Sequence, residues 1–124
     1  MLNILYVGLG GFIGSVLRYF IYIVSNYFFG SNFPFSTIIV NIVGSFFIGF
    51  FYQLFNGYFF VSENTKLLLT VGLLGGFTTF STFSIDAFIL YQNYGKIFAV
   101  SYIILSVGLS LSALLLGMFV LRWM

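Results

Sequence analysis

Apolar residues run along this chain in long, uniform blocks, and the polar residues gather in short gaps between them. The longest charge-free stretches extend from Tyr19 to Ser62, from Leu67 to Ile85 and from Ile97 to Leu121. Each reaches or exceeds the roughly 20 residues that carry a helix across a bilayer. The gaps hold turn chemistry. Asn26 to Pro34 contains Gly30-Ser31-Asn32 and then Pro34, which suits the first turn of a following helix. Asn56-Gly57 and Ser62-Glu63-Asn64-Thr65 bracket a second gap, with Ser62 or Asn64 as N-cap, and Gln92 to Lys96 makes a third. The pattern predicts an all-α integral membrane protein, a single domain of four transmembrane helices at about 4–25, 35–55, 67–91 and 97–121. A barrel is excluded, because its strands would alternate in polarity over about ten residues. Aromatic residues gather at the expected helix ends, at Tyr27-Phe28-Phe29, Tyr58-Phe59-Phe60, Tyr91 and Trp123, as interfacial belts do.

Composition sharpens this. Of 124 residues, 61% are hydrophobic and 5% charged, whereas a soluble domain needs about a quarter of its residues charged to face water. The absence of Cys and His removes disulfides, thiol chemistry, His- or Cys-based metal centres and His-dependent acid–base catalysis. Four basic residues are too few for a nucleic-acid footprint, so no nucleic-acid partner is expected. A cleaved leader is not expected either, since no Lys or Arg precedes Arg18 and no Ala precedes Ala87.

With four helices both chain ends share one side of the membrane. Lys66 and Arg122 fall on that side and Lys96 on the other, a very weak orienting bias. Insertion in both orientations is therefore expected, and two copies paired head to tail would gain the inverted symmetry that larger transporters encode in one chain. Four helices also make a small bundle in which to enclose a pathway, which favours a homodimer. Gly10, Gly11, Gly14, Ser15, Gly44, Ser45, Gly49 and Gly108 allow close helix approach, either between protomers or within one.

Polar groups at membrane depth each need a reason, since an unpartnered one costs several kcal/mol. Arg18 shares a face with Gly11 and Gly14. It is either an electropositive group at the base of an anion entrance or a structural Arg bonded to helix-end carbonyls. Asn41, amid Ile38, Ile39, Val40, Ile42 and Val43, is either interhelical glue or a donor to a passing ion. The third helix carries the strongest signal: Gly75-Gly76-Phe77-Thr78-Thr79-Phe80-Ser81-Thr82-Phe83-Ser84. Glycines weaken a helix and hydroxyls compete for its carbonyls, so a break is expected around Gly75 to Thr79. Such a break leaves carbonyls for a cation and N–H groups for an anion. Phe77, Phe80 and Phe83 lie on one face beside the hydroxyls, where they pack or offer positive ring edges to an anion. Tyr102, Ser106 and Ser110 repeat at four-residue spacing along the fourth helix, a line of hydroxyl donors. Asp86 is a lone acid at depth and supports neither hydrolysis nor a metal cage. Gly8-Leu9-Gly10-Gly11 is no dinucleotide fingerprint, since Ile13 stands where the third glycine belongs. The chain has no enzyme signature.

The TTFSTFS segment, together with Gly10-Gly11-Phe12-Ile13-Gly14-Ser15-Val16-Leu17-Arg18-Tyr19 and Val40-Asn41-Ile42-Val43-Gly44-Ser45, resembles the Fluc (CrcB) fluoride channels over essentially the whole chain. The resemblance implies an antiparallel, dual-topology homodimer in the cell membrane, a passive channel exporting cytoplasmic fluoride, and a central structural sodium ion. By the same resemblance the fluoride pathway takes Asn41, Phe80, Phe83, Ser81, Thr82, Tyr102, Ser106 and Ser110, with Arg18 in the vestibule. Sodium would sit on the backbone carbonyls of Gly75 and Thr78 from both subunits. Asp86 departs from the family, which often has Glu there, so no gating or coupling role is carried over to it. Two other function classes stand as alternatives. A small multidrug exporter needs a proton-binding Glu in its first helix, where this chain has Arg18 and no acid before Glu63. In a non-transporting accessory subunit every one of these polar residues would be glue.

Overall fold

The computed structural model describes residues 2–57 and 60–122, and among them the only regular structure is helical. Helix α1 spans Leu2–Phe29 and α2 spans Phe35–Gly57. Helix α3 covers residues 63–77: an α-helical turn Glu63–Lys66, a π-helical stretch Leu67–Leu74 and a second α-helical turn Gly75–Phe77. Helix α4 is Phe80–Tyr94 and α5 is Lys96–Val120. Counting α3 and α4 as one span, four helical segments among the described residues are long and apolar enough to cross a membrane. The expected interfacial residues Tyr58, Phe59 and Trp123 lie outside the described residues.

Helix α1 exceeds the expected 4–25 at both ends. Nothing in the sequence stops it until Gly30, which takes a positive φ of 75° and whose N–H donates to the Asn26 carbonyl at 3.0 Å. At 1.5 Å per residue its 28 residues reach about 42 Å, more than the hydrocarbon core requires. The third span also starts earlier than expected. Ser62, of the two candidate caps, accepts from the Thr65 N–H at 3.2 Å and so begins the helix at Glu63. Gly95, at φ 89°, turns the chain from α4 into α5.

Packing runs in pairs: α2 lies along α5, α1 along α3, and α4 against α5. The glycines make this possible. A Cβ at Gly10 or Gly14 would run into the carbonyls of Leu68 and Leu73, and one at Gly72 or Gly76 into those of Val7 and Gly11. On the other pair, Gly49 faces the Leu114 carbonyl and Gly117 the Phe46 carbonyl. These glycines are therefore used inside one protomer, where they bring backbones close enough for dispersion to act. Gly108 has open space around it.

Buried side chains are few. Phe83, Leu90, Ala99 and Tyr102 form a cluster with Phe33, Ile38 and Ala87 against it. Large apolar side chains such as Ile4, Phe12, Ile104 and Leu116 point outward, the surface of a multi-pass membrane protein whose solvent is lipid.

Candidate functional site

Between Phe77 and Phe80 the backbone is extended, at φ −78°, ψ 160° for Thr78 and φ −152°, ψ 124° for Thr79. The hydroxyls explain how this is tolerated at depth. Thr78 Oγ1 donates to the Leu74 carbonyl at 2.9 Å, closing the end of α3, while Thr79 Oγ1 accepts from the Thr82 N–H at 3.2 Å and caps α4.

Asn41 reaches this point from α2. Its Nδ2 donates to the Thr79 carbonyl at 3.0 Å, and its Oδ1 accepts from the Thr79 N–H at 2.8 Å. Both bonds tie α2 to the extended residues, as an interhelical contact would, and one amide N–H remains for another partner. The Thr79 N–H, which in a continuous helix would serve the Gly75 carbonyl, is turned to Asn41 instead. Arg18 Nη1 donates to the Thr78 carbonyl at a long 3.4 Å, so the guanidinium both touches a helix-end carbonyl and lines a cavity.

A cavity of about 380 Å³ opens beside the extended residues. It brings together Asn41, Phe80, Phe83, Ser106, Ser110, Gly75 and Thr78, residues that the sequence spreads over four segments. Phe80 is 77% exposed whereas Phe83 is buried, its ring stacked on Tyr102 at 5.4 Å between centroids. Ser110 lines the cavity, and its hydroxyl is buried with no hydrogen-bond partner among the described residues. A second cavity, of about 360 Å³, is lined by Arg18, Ser15, Tyr22, Thr37 and Thr82 among others. Thr79 lines both. A third, of about 190 Å³, continues from Thr37 and Thr82 past Asp86 to Asn32 and Pro34 in the α1–α2 connection.

Two candidates stand apart. Ser81 is exposed, its Oγ 3.3 Å from Thr79 Oγ1, and lines none of these cavities. Tyr102 is 1% exposed, packed against Phe83 and Phe33, with its hydroxyl donating to Asp86 Oδ2 at 3.4 Å. The sequence reading missed Thr37, which donates to the same Asp86 oxygen at 2.6 Å. Its signal was present: Thr37 stands four residues before Asn41, on the same helix face.

The fold and these cavities define a multi-pass membrane protein whose two larger cavities share a lining residue, Thr79, at a non-helical point of the chain. Residues 5–118 match the family described as CrcB-like protein, Camphor Resistance (CrcB). The chain is 44% identical over 117 residues to the fluoride-specific ion channel FluC of Ruminiclostridium cellulolyticum, covering 94% of this chain and 90% of that one. It is 41% identical to that of Allorhizobium ampelinum, over 100% and 99%, and 45% identical to that of Rhizobium johnstonii, over 98% of each. The chain belongs to the CrcB family.

Proposed function

We propose that this protein is a fluoride-selective passive channel of the bacterial cell membrane, which exports cytoplasmic fluoride and so confers fluoride resistance. The observation that carries the reading is the near-complete likeness to proteins named as fluoride-specific channels. The cavities support it. They supply hydroxyl and amide donors, aromatic edges and one guanidinium, a set that suits a small anion needing its hydration shell replaced without a charge to trap it. Export needs no energy source beyond the membrane. Neutral hydrogen fluoride enters and dissociates in the less acidic cytoplasm, and the inside-negative potential drives the anion out at about 2.3 kcal/mol per charge per 100 mV. The anion would pass Arg18 and Thr82 on one side of Thr79 and Asn41, Phe80, Phe83, Ser106 and Ser110 on the other. Ser81 and Tyr102 are included by the family resemblance.

The working unit proposed is an antiparallel homodimer of both insertion orientations, with the third span broken at Thr78 and Thr79. Support comes from the near balance of Lys66, Arg122 and Lys96. The exposed Phe80 and Gly75 also leave the larger cavity open toward a neighbour. A structural sodium ion at the dimer centre belongs to the same proposal. The donor set fits: Gly75's carbonyl lacks the Thr79 N–H, and the Thr78 carbonyl keeps a lone pair beyond the one facing Arg18. Bound there, sodium would neutralise converging carbonyl dipoles.

The test is fluoride efflux from liposomes holding the purified protein, against chloride. Fast fluoride release with chloride retained is expected. A membrane no leakier than empty liposomes would refute the reading, and release coupled to a proton gradient would favour an exporter.

A further inference from the structure

We propose that Gly44 is a positioning residue for the pathway: its missing Cβ is the seat of the Thr78 methyl group and fixes where the extended residues lie. The proposal rests on the channel reading and names a determinant within it. Gly44 is buried on α2, three residues after Asn41, and lines the larger cavity. Helix α2 thus holds both extended residues, Thr79 through the Asn41 amide and Thr78 through the Gly44 surface.

The fit turns on one methyl. A Cβ added at Gly44 would overlap Thr78 Cγ2, while the next atoms, Phe77 Cδ1 at 3.5 Å and Thr78 Cβ at 3.6 Å, are at ordinary contact. At Gly10, Gly14, Gly49 and Gly117 the opposing atom is instead a backbone carbonyl oxygen, which no side-chain change can remove. Nor can the Thr78 methyl swing aside. Thr78 is β-branched, so turning χ1 moves the hydroxyl with the methyl and ends its bond to the Leu74 carbonyl. Gly44→Ala must therefore break that bond or lift Thr78 off α2. Lifting strains the Asn41–Thr79 pair and carries the Thr78 carbonyl away from Arg18.

The experiment compares wild type, Gly44→Ala, Thr78→Ser and the double variant in liposomes, with initial fluoride efflux normalised to protein eluting as one intact species. Melting temperature is measured in parallel. Gly44→Ala is expected to lose flux by roughly a hundredfold, the scale on which ångström misplacements act at a preorganised site. The double variant is expected to regain most of it, because Ser keeps the hydroxyl and the carbonyl and lacks Cγ2. Such non-additivity is the signature of a direct pair. Gly8→Ala, on the exposed side of α1 with open space around it, keeps wild-type flux as the control for a helical glycine changed elsewhere. Wild-type flux in Gly44→Ala would overturn the proposal, as would a folded double variant no faster than Gly44→Ala. If Gly44→Ala does not fold, the double variant must restore folding, and one equally unfolded overturns the pairing. A wild type that carries no fluoride would instead overturn the channel reading, while the melting-temperature coupling still judges the pair.

Discussion

Asn41 spends its carbonyl and one amide N–H on a single residue, so its substitutions separate donor from acceptor. Asn41→Asp keeps the acceptor for the Thr79 N–H and sets a carboxylate oxygen against the Thr79 carbonyl. It also puts a negative charge beside the proposed anion path. Fluoride efflux from liposomes should fall to near background, with protein still recovered from size-exclusion chromatography; wild-type rates would place the pathway elsewhere. The two phenylalanines divide in a different way. Phe83 is buried in the core cluster, so Phe83→Ala should cost about 3–5 kcal/mol and show as a lower melting temperature. Phe80 is exposed in the protomer, so Phe80→Ile should leave folding almost untouched. Flux should nonetheless drop as the positive ring edge is lost, and Phe80→Met, polarizable and flexible, should retain more of it. Equal efflux in Phe80→Ile and wild type would return that ring to packing.

Among the elements, the α2–α5 seam makes a strong demand. Gly49→Ala and Gly117→Ala each drive a methyl into a carbonyl of the facing helix, so both should lower the melting temperature in detergent, far more than Gly108→Ala. Equal stability in all three would mean the helices meet elsewhere. The four spans were legible because length and uniform hydropathy suffice to call a bilayer-spanning helix. The extended residues fall where glycines and threonines weaken a helix, a local property. The π-helical stretch Leu67–Leu74 was not legible. Its sequence, LLLTVGLL, is ordinary, and the wider winding pairs Leu68, Gly72 and Leu73 with α1, a tertiary circumstance. The Thr37–Asp86–Tyr102 cluster was hidden for the same reason: three residues on three helices meet only after packing. Whether the small residues bind protomers or helices was equally undecidable from spacing, and Gly10, Gly14 and Gly49 serve the protomer.

For the whole molecule, few charges oversee a large apolar surface. Lys66 lies over the Phe55 ring and Arg122 over the Phe119 ring, which lets cations rest at an interface at modest cost. Because they oppose only Lys96, lysines added at one end should trap one orientation. That variant should be inactive alone and active when co-expressed with an oppositely biased one. Full activity with every copy pointing one way would sink the antiparallel arrangement. On the proposed pathway the two cavities that share Thr79 act as resistors in series, where total resistance is a sum and the largest member hides the rest. A lesion in one cavity should then mask one in the other. Arg18→Gln, in the second cavity, should slow efflux on its own yet make little further difference in a Phe80→Ile background, where flux is reduced but still measurable. Equal fractional losses in both backgrounds would mean that the two cavities do not carry the same current.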